Sequence, residues 1–335
     1  MLPLPTNLAV YMDTLDPVIL QLWAGGPAIR WYGVSYLAGF ALGFYLIQRI
    51  VKAGRSSLQS TEVGDLVITI ALSLVIGGRV GYVLFYKPDL LGFTGTFPYW
   101  GVLQFTQGGM SFHGGAIGAG IGCLLYARRH KHDPGHIADL IAFVAPLGLF
   151  LGRLANFING ELYGRPCDPA PPWAVKFPGE LLHFTEPQWN RFLLFIGDTA
   201  QMPVSREDAV ARIIHGDPIL RLAAQQTLTP RHPSQLYEAL AEGLVLFVVL
   251  AVVWRKPRKP WVLSAWFLLA YAVLRIICEF FREPDAHIAD QEFARWHLTR
   301  GQLLSAVIFL AGAILLCIVS RRKVQPQGGW RGARE

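Results

Sequence analysis

The feature that most constrains this chain is a series of long apolar stretches separated by polar ones. A bilayer core is about 30 Å thick, so a helix of about 20 apolar residues can cross it. We therefore predict membrane spans at residues 31–50, 63–86, 113–126, 137–157, 232–254, 261–281 and 303–319. The third is short and rich in glycine, which suits close contact with another helix. The sequence thus indicates an all-α polytopic membrane protein, a bundle of about seven transmembrane helices.

Composition supports a membrane protein and argues against other classes. The chain is 53% hydrophobic and only 16% charged, unlike a typical soluble or disordered protein. Its formal net charge of +7 would suit a nucleic-acid partner, but the cations lie at the ends of the predicted helices. We therefore expect no nucleic-acid partner. No histidine or cysteine pair has the spacing of metal ligands, so we expect neither a metal nor a cofactor.

The placement of the cations predicts how the helices are oriented. Basic clusters follow the first, third, fifth and seventh spans; they begin at Arg49, Arg128, Arg255 and Arg321. Because cytoplasmic loops carry the excess of Lys and Arg, the C-terminus is expected in the cytoplasm and the N-terminus outside. His130 and His132 then lie in a basic cytoplasmic loop, where we expect solvated side chains.

These spans divide the chain into five segments. Residues 1–30 are broken by prolines and are predicted to form a periplasmic or interfacial lead-in, followed by helices one to four over 31–158. Residues 159–231 are too long for a hairpin and are predicted to form a periplasmic head segment. Helices five to seven follow over 232–323, and residues 324–335 are expected to be a flexible cytoplasmic tail.

The fourth span ends in polar residues that are costly to place in a membrane. Arg153 and Asn156 are three residues apart and share one helical face. Glu161 and Gly164 follow in a glycine-bent turn. A cation, an amide and a carboxylate at one helix end predict a binding site. The alternative is an ordinary capped helix end, with the arginine reaching toward the interface.

Other intramembrane polar residues are predicted to lie at the same depth, in the outer half of the bilayer. They are Arg79, His113, a stripe of Gln235, Glu238 and Glu242, and a stripe of Tyr271, Arg275, Glu279 and Arg282. Charges there cost about 2.5–3.5 kcal/mol each, so they should face inward and find partners. For the glutamates and Arg79, salt bridges that fix the bundle are an equally good explanation.

Arg153 and Arg275 are better explained by binding, because a guanidinium pair matches the geometry of a phosphodiester. The predicted ligand is an anionic lipid head group in the outer leaflet, with His113 as a candidate proton acceptor. Three functional classes remain at this point: an enzyme, a transporter or flippase of an anionic lipid, and a bundle whose buried charges only fix packing. No polar residues continue into the inner half, which favours one-sided chemistry over transport.

Six motifs, in order along the chain, resemble those of the bacterial prolipoprotein diacylglyceryl transferase family. The most specific is GRLANFINGELYG at 152–164, in which every fixed position of the family signature is met. The others are RWYG at 30–33, GGRVGY at 77–82, GGMSFHGG at 108–115, RHPSQLYE at 231–238 and RIICEFFR at 275–282. The head segment from Cys167 to Thr229 and the C-terminal tail match no motif.

The resemblance implies an enzyme of the bacterial inner membrane whose active site faces the periplasmic leaflet. Such enzymes move the diacylglyceryl group of phosphatidylglycerol onto the lipobox cysteine of a prolipoprotein signal peptide, forming a thioether and releasing glycerol phosphate. Carried over by motif, the functional set is Tyr32, His113, Arg153, Asn156, Glu161, Gly164, Tyr271, Arg275 and Glu279. His113 is expected either to accept the thiol proton or only to bind substrate, with another group activating the thiol.

Overall fold

The computed structural model describes residues 10–23, 26–95, 97–104, 108–197, 205–283 and 299–330, which are mostly helical. Its helices are α1 (Trp31–Lys52), α2 (Glu62–Phe85), α3 (Phe112–His130), α4 (Pro134–Ile158), α5 (Glu186–Ile196), α6 (Arg206–Ile214), α7 (Pro218–Thr227), α8 (Ser234–Glu238), α9 (Leu246–Val253), α10 (Val262–Glu279) and α11 (Arg300–Arg321). A π-helical turn, Ala239–Val245, joins α8 to α9. Its strands are β1 (Tyr11–Met12), β2 (Val18–Gln21), β3 (Ala28–Arg30) and β4 (Val175–Lys176).

Within the described residues, six helical stretches are long and apolar enough to cross a membrane. They are α1, α2, α4, the continuous stretch Ser234–Val253, α10 and Gly301–Arg321. Each coincides with a predicted span, so the prediction of an all-α polytopic membrane protein is confirmed. Helix α3 forms where the remaining span was predicted, but its glycines and its terminal cations make it less apolar than the others.

The chain divides into two compact units, which are described separately. The first unit comprises Met1–Ala38, Gly148–Leu246 and Tyr271–Val307, and the second comprises Gly39–Leu147, Phe247–Ala270 and Ile308–Glu335. With the exception of His113, every predicted site residue belongs to the first unit.

In the first unit, the segment 159–231 has a hydrophobic core of its own. Helices α5, α6 and α7 bury one face each around Phe192, Ile213 and Leu220. Polar caps fix two of the helix starts: Gln188 accepts a hydrogen bond from the backbone N–H of Thr185 at 2.9 Å, and Asp217 accepts from the N–H two residues on. The lead-in also takes part, because β1 pairs in parallel with β4 and adds Met12 to this core.

This segment leaves and rejoins the helices through a neck of two adjacent backbone stretches. The N–H of Gly164 donates to the carbonyl of His232 at 2.9 Å, and the N–H of His232 donates to Arg165 at 3.1 Å. Arg231 holds the neck from one side: its guanidinium donates two hydrogen bonds to Glu180, at 2.8 and 3.1 Å. The same guanidinium lies 4.7 Å from the centre of the Tyr163 ring.

In the second unit, α2 and α3 are brought together by glycines on both helices. A Cβ added at Gly77 would lie 2.4 Å from the carbonyl oxygen of Gly114, and one at Gly81 would lie 2.7 Å from the Cα of that same residue. Side chains at these positions would therefore force the two helices apart. The close contact expected of the glycine-rich third span is confirmed.

Arg79 organises the loop between α2 and α3. It is only 1% exposed, and its guanidinium donates to the backbone carbonyls of Gly101, Val102, Gln104, Gly108 and Gly109 at 2.6–3.2 Å. Five carbonyls from one loop cannot be satisfied this way by a shorter or less branched cation. These contacts give Arg79 a structural role in holding the loop against α2.

Two expectations about the second unit are wrong. His130 and His132 are only partly solvated: their side chains are 25% and 10% exposed, the Nε2 of His132 lies 3.3 Å from Glu62, and the ring of His130 stacks on Tyr126 with centroids 4.3 Å apart. The reason is that the end of α3 packs against the start of α2, where Glu62 supplies a carboxylate. Composition alone does not show that contact.

The expected flexible tail is also wrong for residues 324–330, because this stretch pairs with the loop after α9. Gln327 and Arg258 exchange two backbone hydrogen bonds, at 3.1 and 2.7 Å, and the indole N–H of Trp330 donates to Ala251 at 2.5 Å. The pairing is between backbone groups, and so it leaves little signal in a polar sequence. Residues 331–335 lie outside the described part of the chain.

Candidate functional site

The two arginines singled out by sequence point toward each other in the first unit. Arg153, from α4, lies 2.9 Å from a carboxylate oxygen of Glu238 and 3.2 Å from one of Glu242. Arg275, from α10, lies 2.5 and 3.4 Å from the other oxygens of the same two glutamates. The glutamate side chains are fully buried, whereas each arginine side chain is 14% exposed. Both cations therefore share a pair of anions from α8 and the π-helical turn.

Two further ion pairs extend this cluster along α10. Glu279 lies 3.0 Å from Arg275, one helical turn away, as their spacing predicts. Arg282 lies 3.4 Å from Glu238. Glu279 is in turn fixed by Thr299, whose hydroxyl donates to it at 2.9 Å, and a Cβ at Gly301 would fall 2.5 Å from its carboxylate. The start of α11 thus holds the outer end of the cluster, a contact that the sequence did not indicate.

A second group of predicted residues forms a hydrogen-bonded chain where α4 ends. The side-chain amide nitrogen of Asn156 donates to the hydroxyl oxygen of Tyr32 at 2.5 Å and to the carboxylate of Glu161 at 2.8 Å. Because the amide donates to the phenol, the hydrogen of that phenol is left to donate elsewhere. Asn156, the central residue of the three, is buried, Tyr32 is half-buried and Glu161 is exposed. The hydrogen bonds therefore connect the buried Asn156 to the protein surface at Glu161.

The turn after α4 owes its shape to backbone contacts. Gly160 has φ of +63° and Leu162 has φ of +56°, so the chain turns through two left-handed residues. A Cβ at Gly164 would lie 2.4 Å from the carbonyl oxygen of His232 and 2.5 Å from that of Phe281. Gly164 is therefore required for backbone packing at the neck.

The last two predicted residues lie on different units. Tyr271 is 6% exposed and precedes Arg275 by one turn on α10. His113 is the second residue of α3 in the second unit, where its side chain is exposed and its ring meets Phe112 edge-on at 5.7 Å. Just before it, Ser111 caps α3 by accepting from the N–H of Gly114 at 3.2 Å.

The chemistry of this site is that of anion recognition. In the described part of the chain, no three His, Cys, Asp or Glu side chains gather so that they could hold a metal ion. Two guanidinium groups that face each other offer parallel N–H donors, which match the oxygens of a phosphate or carboxylate. In the structure those donors already pair with Glu238 and Glu242, which agrees with the salt-bridge alternative for the glutamates.

Comparison with known proteins gives one consistent result. The profile of the family described as prolipoprotein diacylglyceryl transferase matches residues 17–318. The chain is 43% identical, over 94% of its own length and 96% of the relative's, to a phosphatidylglycerol–prolipoprotein diacylglyceryl transferase of Bdellovibrio bacteriovorus. It is 38% identical to proteins of the same name from Rhodospirillum rubrum, over 94% and 96% of the two chains, and from Escherichia coli, over 96% and 98%.

Proposed function

Because the chain belongs to the prolipoprotein diacylglyceryl transferase family, we propose that it transfers the diacylglyceryl group of phosphatidylglycerol to the lipobox cysteine of a prolipoprotein. The cysteine sulfur attacks the glyceryl carbon, the carbon–oxygen bond to phosphate breaks, and a thioether and glycerol phosphate result. This is the first step in the maturation of a bacterial lipoprotein. The observation that carries the proposal is the pair Arg153 and Arg275, both of which contact Glu238 and Glu242.

The two arginines act on the phosphate. A phosphodiester carries one negative charge, and the departing phosphate monoester gains more charge as the carbon–oxygen bond breaks. Guanidinium donors that bind the phosphate in place of their glutamate partners strengthen their contacts as this charge develops. One such donor is worth roughly 3–4 kcal/mol in comparable sites. Glu279 holds the guanidinium of Arg275 in this orientation from one turn away.

The remaining site residues orient the lipid. The free hydroxyl hydrogen of Tyr32, fixed through Asn156 and Glu161, donates to an oxygen of the head group. Tyr271 lines the site from α10, and Gly164 keeps the turn close to the backbone at the neck. His113 either accepts the thiol proton or binds substrate, and its exposure in the second unit is compatible with both roles.

We place the site at the periplasmic leaflet of the inner membrane. In this arrangement α3 also crosses the membrane and brings the number of spans to seven. The N-terminus and the head segment 159–231 are periplasmic, and the C-terminus is cytoplasmic. The cations at the ends of α1, α3 and α11 support it. The lead-in lies in the interface, for which the exposed Leu20 and Trp23 of the β2–β3 hairpin are suited. A fluorescent protein fused to the C-terminus should therefore mature in the cytoplasm, and a periplasmic reporter there should stay inactive.

The activity is tested with purified protein, phosphatidylglycerol and a lipobox peptide, with the peptide mass as the readout. The wild type should add one diacylglyceryl group to the cysteine. Arg275→Lys should lose most of this activity, because an ammonium cannot make two parallel hydrogen bonds. The matched control is Arg206→Lys, which alters a pair with Glu186 at the surface of the head.

Two outcomes would contradict the proposal. Unchanged peptide in the presence of folded wild-type protein would exclude the transferase activity, and lipid movement across liposomes without product would point to transport instead. Wild-type rates in Arg275→Lys would exclude the proposed site while leaving the activity intact.

A further inference from the structure

The ion cluster of the site is electrically balanced before any substrate binds. Among the described residues, its ion pairs link three arginines (Arg153, Arg275 and Arg282) to three glutamates (Glu238, Glu242 and Glu279). Within this set of residues the positive and negative charges cancel. An anionic head group that binds Arg153 and Arg275 must therefore take over donors that the glutamates now hold.

Displacement of a carboxylate in this place has a chemical consequence. The side chains of Glu238 and Glu242 are both fully buried, and both contact Nη1 of Arg275. A carboxylate that loses its cation there stays close to a second carboxylate, and both side chains are buried away from solvent. Two like charges in such a site do not both persist, so one carboxylate becomes a proton acceptor. The phosphate itself thus creates a base beside the reacting centre.

The distances indicate which glutamate is released. Glu238 contacts three arginines, at 2.5, 2.9 and 3.4 Å, whereas Glu242 contacts two, at 3.2 and 3.4 Å. Glu242 also lies in the π-helical turn Ala239–Val245, while Glu238 ends the regular helix α8. Such turns are found mostly at functional sites. Glu242 is therefore the more weakly held carboxylate and the one that a phosphate replaces.

We propose that Glu242, once the phosphodiester displaces it from Arg153 and Arg275, accepts the thiol proton of the cysteine substrate. This inference rests on the proposed transferase function. The S–H bond breaks and its proton moves to the Glu242 carboxylate, while the sulfur electron pair forms the bond to the glyceryl carbon. The carbon–oxygen bond breaks with its electron pair going to phosphate, whose charge the two arginines neutralise. The proton leaves with the phosphate monoester, and Glu242 returns to the arginines.

A selenocysteine lipobox peptide tests this role, because a selenol is already ionised at neutral pH and needs no base. With the cysteine peptide, Glu242→Gln should lower kcat/KM by roughly 100-fold or more, the range of a general base. With the selenocysteine peptide, the same variant should come within a few-fold of the wild type. Glu238→Gln is the matched control, since Glu238 positions the arginines: its loss should be the same with both peptides.

The outcomes separate this proposal from the transferase assignment. An equal loss with both peptides in Glu242→Gln would leave Glu242 only a positioning role and overturn the proposal. Selective rescue of His113→Ala would instead assign the proton to His113. If Glu242→Gln does not fold, Glu242→Asp replaces it: this variant keeps a carboxylate but withdraws it from the reacting sulfur, and its loss should again be larger with cysteine than with selenocysteine. An equal loss with both peptides in that variant would also overturn the proposal. Product formation by the wild type, a thioether from cysteine or a selenoether from selenocysteine, preserves the transferase function in either case.

Discussion

Asn156 is the hydrogen-bond donor at the centre of the series Tyr32–Asn156–Glu161. Replacing it with aspartate changes one heavy atom and turns this donor into an acceptor. In the wild type, one amide nitrogen donates to both neighbours, at 2.5 and 2.8 Å. In Asn156→Asp, an acceptor faces both of them and two carboxylates meet. The variant keeps the shape of the side chain, so the effect isolates the donor from the packing.

The size of the effect follows from the two hydrogen bonds. A hydrogen bond to a charged carboxylate contributes about 1.5–3 kcal/mol, and one to a neutral hydroxyl contributes about 1 kcal/mol. The sum of roughly 2.5–4 kcal/mol corresponds to a loss of roughly 70- to 900-fold in kcat/KM if both hydrogen bonds serve the transition state. As pH falls and one of the two carboxyl groups takes up a proton, an O–H donor restores the link between residues 156 and 161. The activity should then recover in part.

The assay is peptide modification between pH 5 and 8, with each variant rate divided by the wild-type rate at the same pH. Asn156→Asp should recover toward low pH, whereas Asn156→Ala, which has neither donor nor acceptor, should stay low throughout. Identical pH profiles for the two variants would refute the role of Asn156 as a donor to Glu161. A wild-type rate for Asn156→Ala would remove the residue from the site.

Three further variants test structural features. Gly164→Ala should lower stability by about 1–3 kcal/mol because its Cβ meets two backbone carbonyls. The control Gly148→Ala, which has open space around its Cβ, should leave stability unchanged. Thermal melting in detergent measures both variants. Arg79→Lys should free the loop after α2, seen as faster chymotrypsin cleavage at its exposed aromatic residues, and an unchanged pattern would contradict this role. Burial raises the pKa of Asp13 to about 6 from an ordinary value of 3.8. The folded protein therefore holds this proton more tightly than the unfolded chain does, and the free energy of unfolding falls as pH rises from about 4 to 6. Asp13→Asn should remove that fall, and a variant whose melting temperature keeps the wild-type pH dependence would exclude Asp13 as its source.

The parts of the structure that follow from local sequence were predicted well. The starts and ends of α1, α2 and α4 lie within a few residues of the predicted spans, because apolar length is a local property. Spacing also placed Glu279 beside Arg275, since residues four apart on a helix are neighbours. The glycines of α3 also predicted that this helix packs closely against another helix.

The parts that depend on rotation between helices were not predicted. Spacing puts Glu238 and Glu242 on one face of the fifth helix, but it does not say that this face meets both Arg153 and Arg275. For the same reason, the contacts of Glu279 with Thr299 and Gly301 were not predicted. Pairing between distant backbones, such as β1 with β4, has no side-chain pattern and was missed for that reason.

The neck at Arg165 and His232 has a consequence for the changes that the chain can tolerate. Because the chain departs and returns at neighbouring positions, the segment between them can change in length while α4 and α8 keep their places. Glu180, the partner of Arg231, lies inside that segment. A shortened segment must therefore still supply a carboxylate to Arg231, because this buried guanidinium would otherwise lose a charged partner.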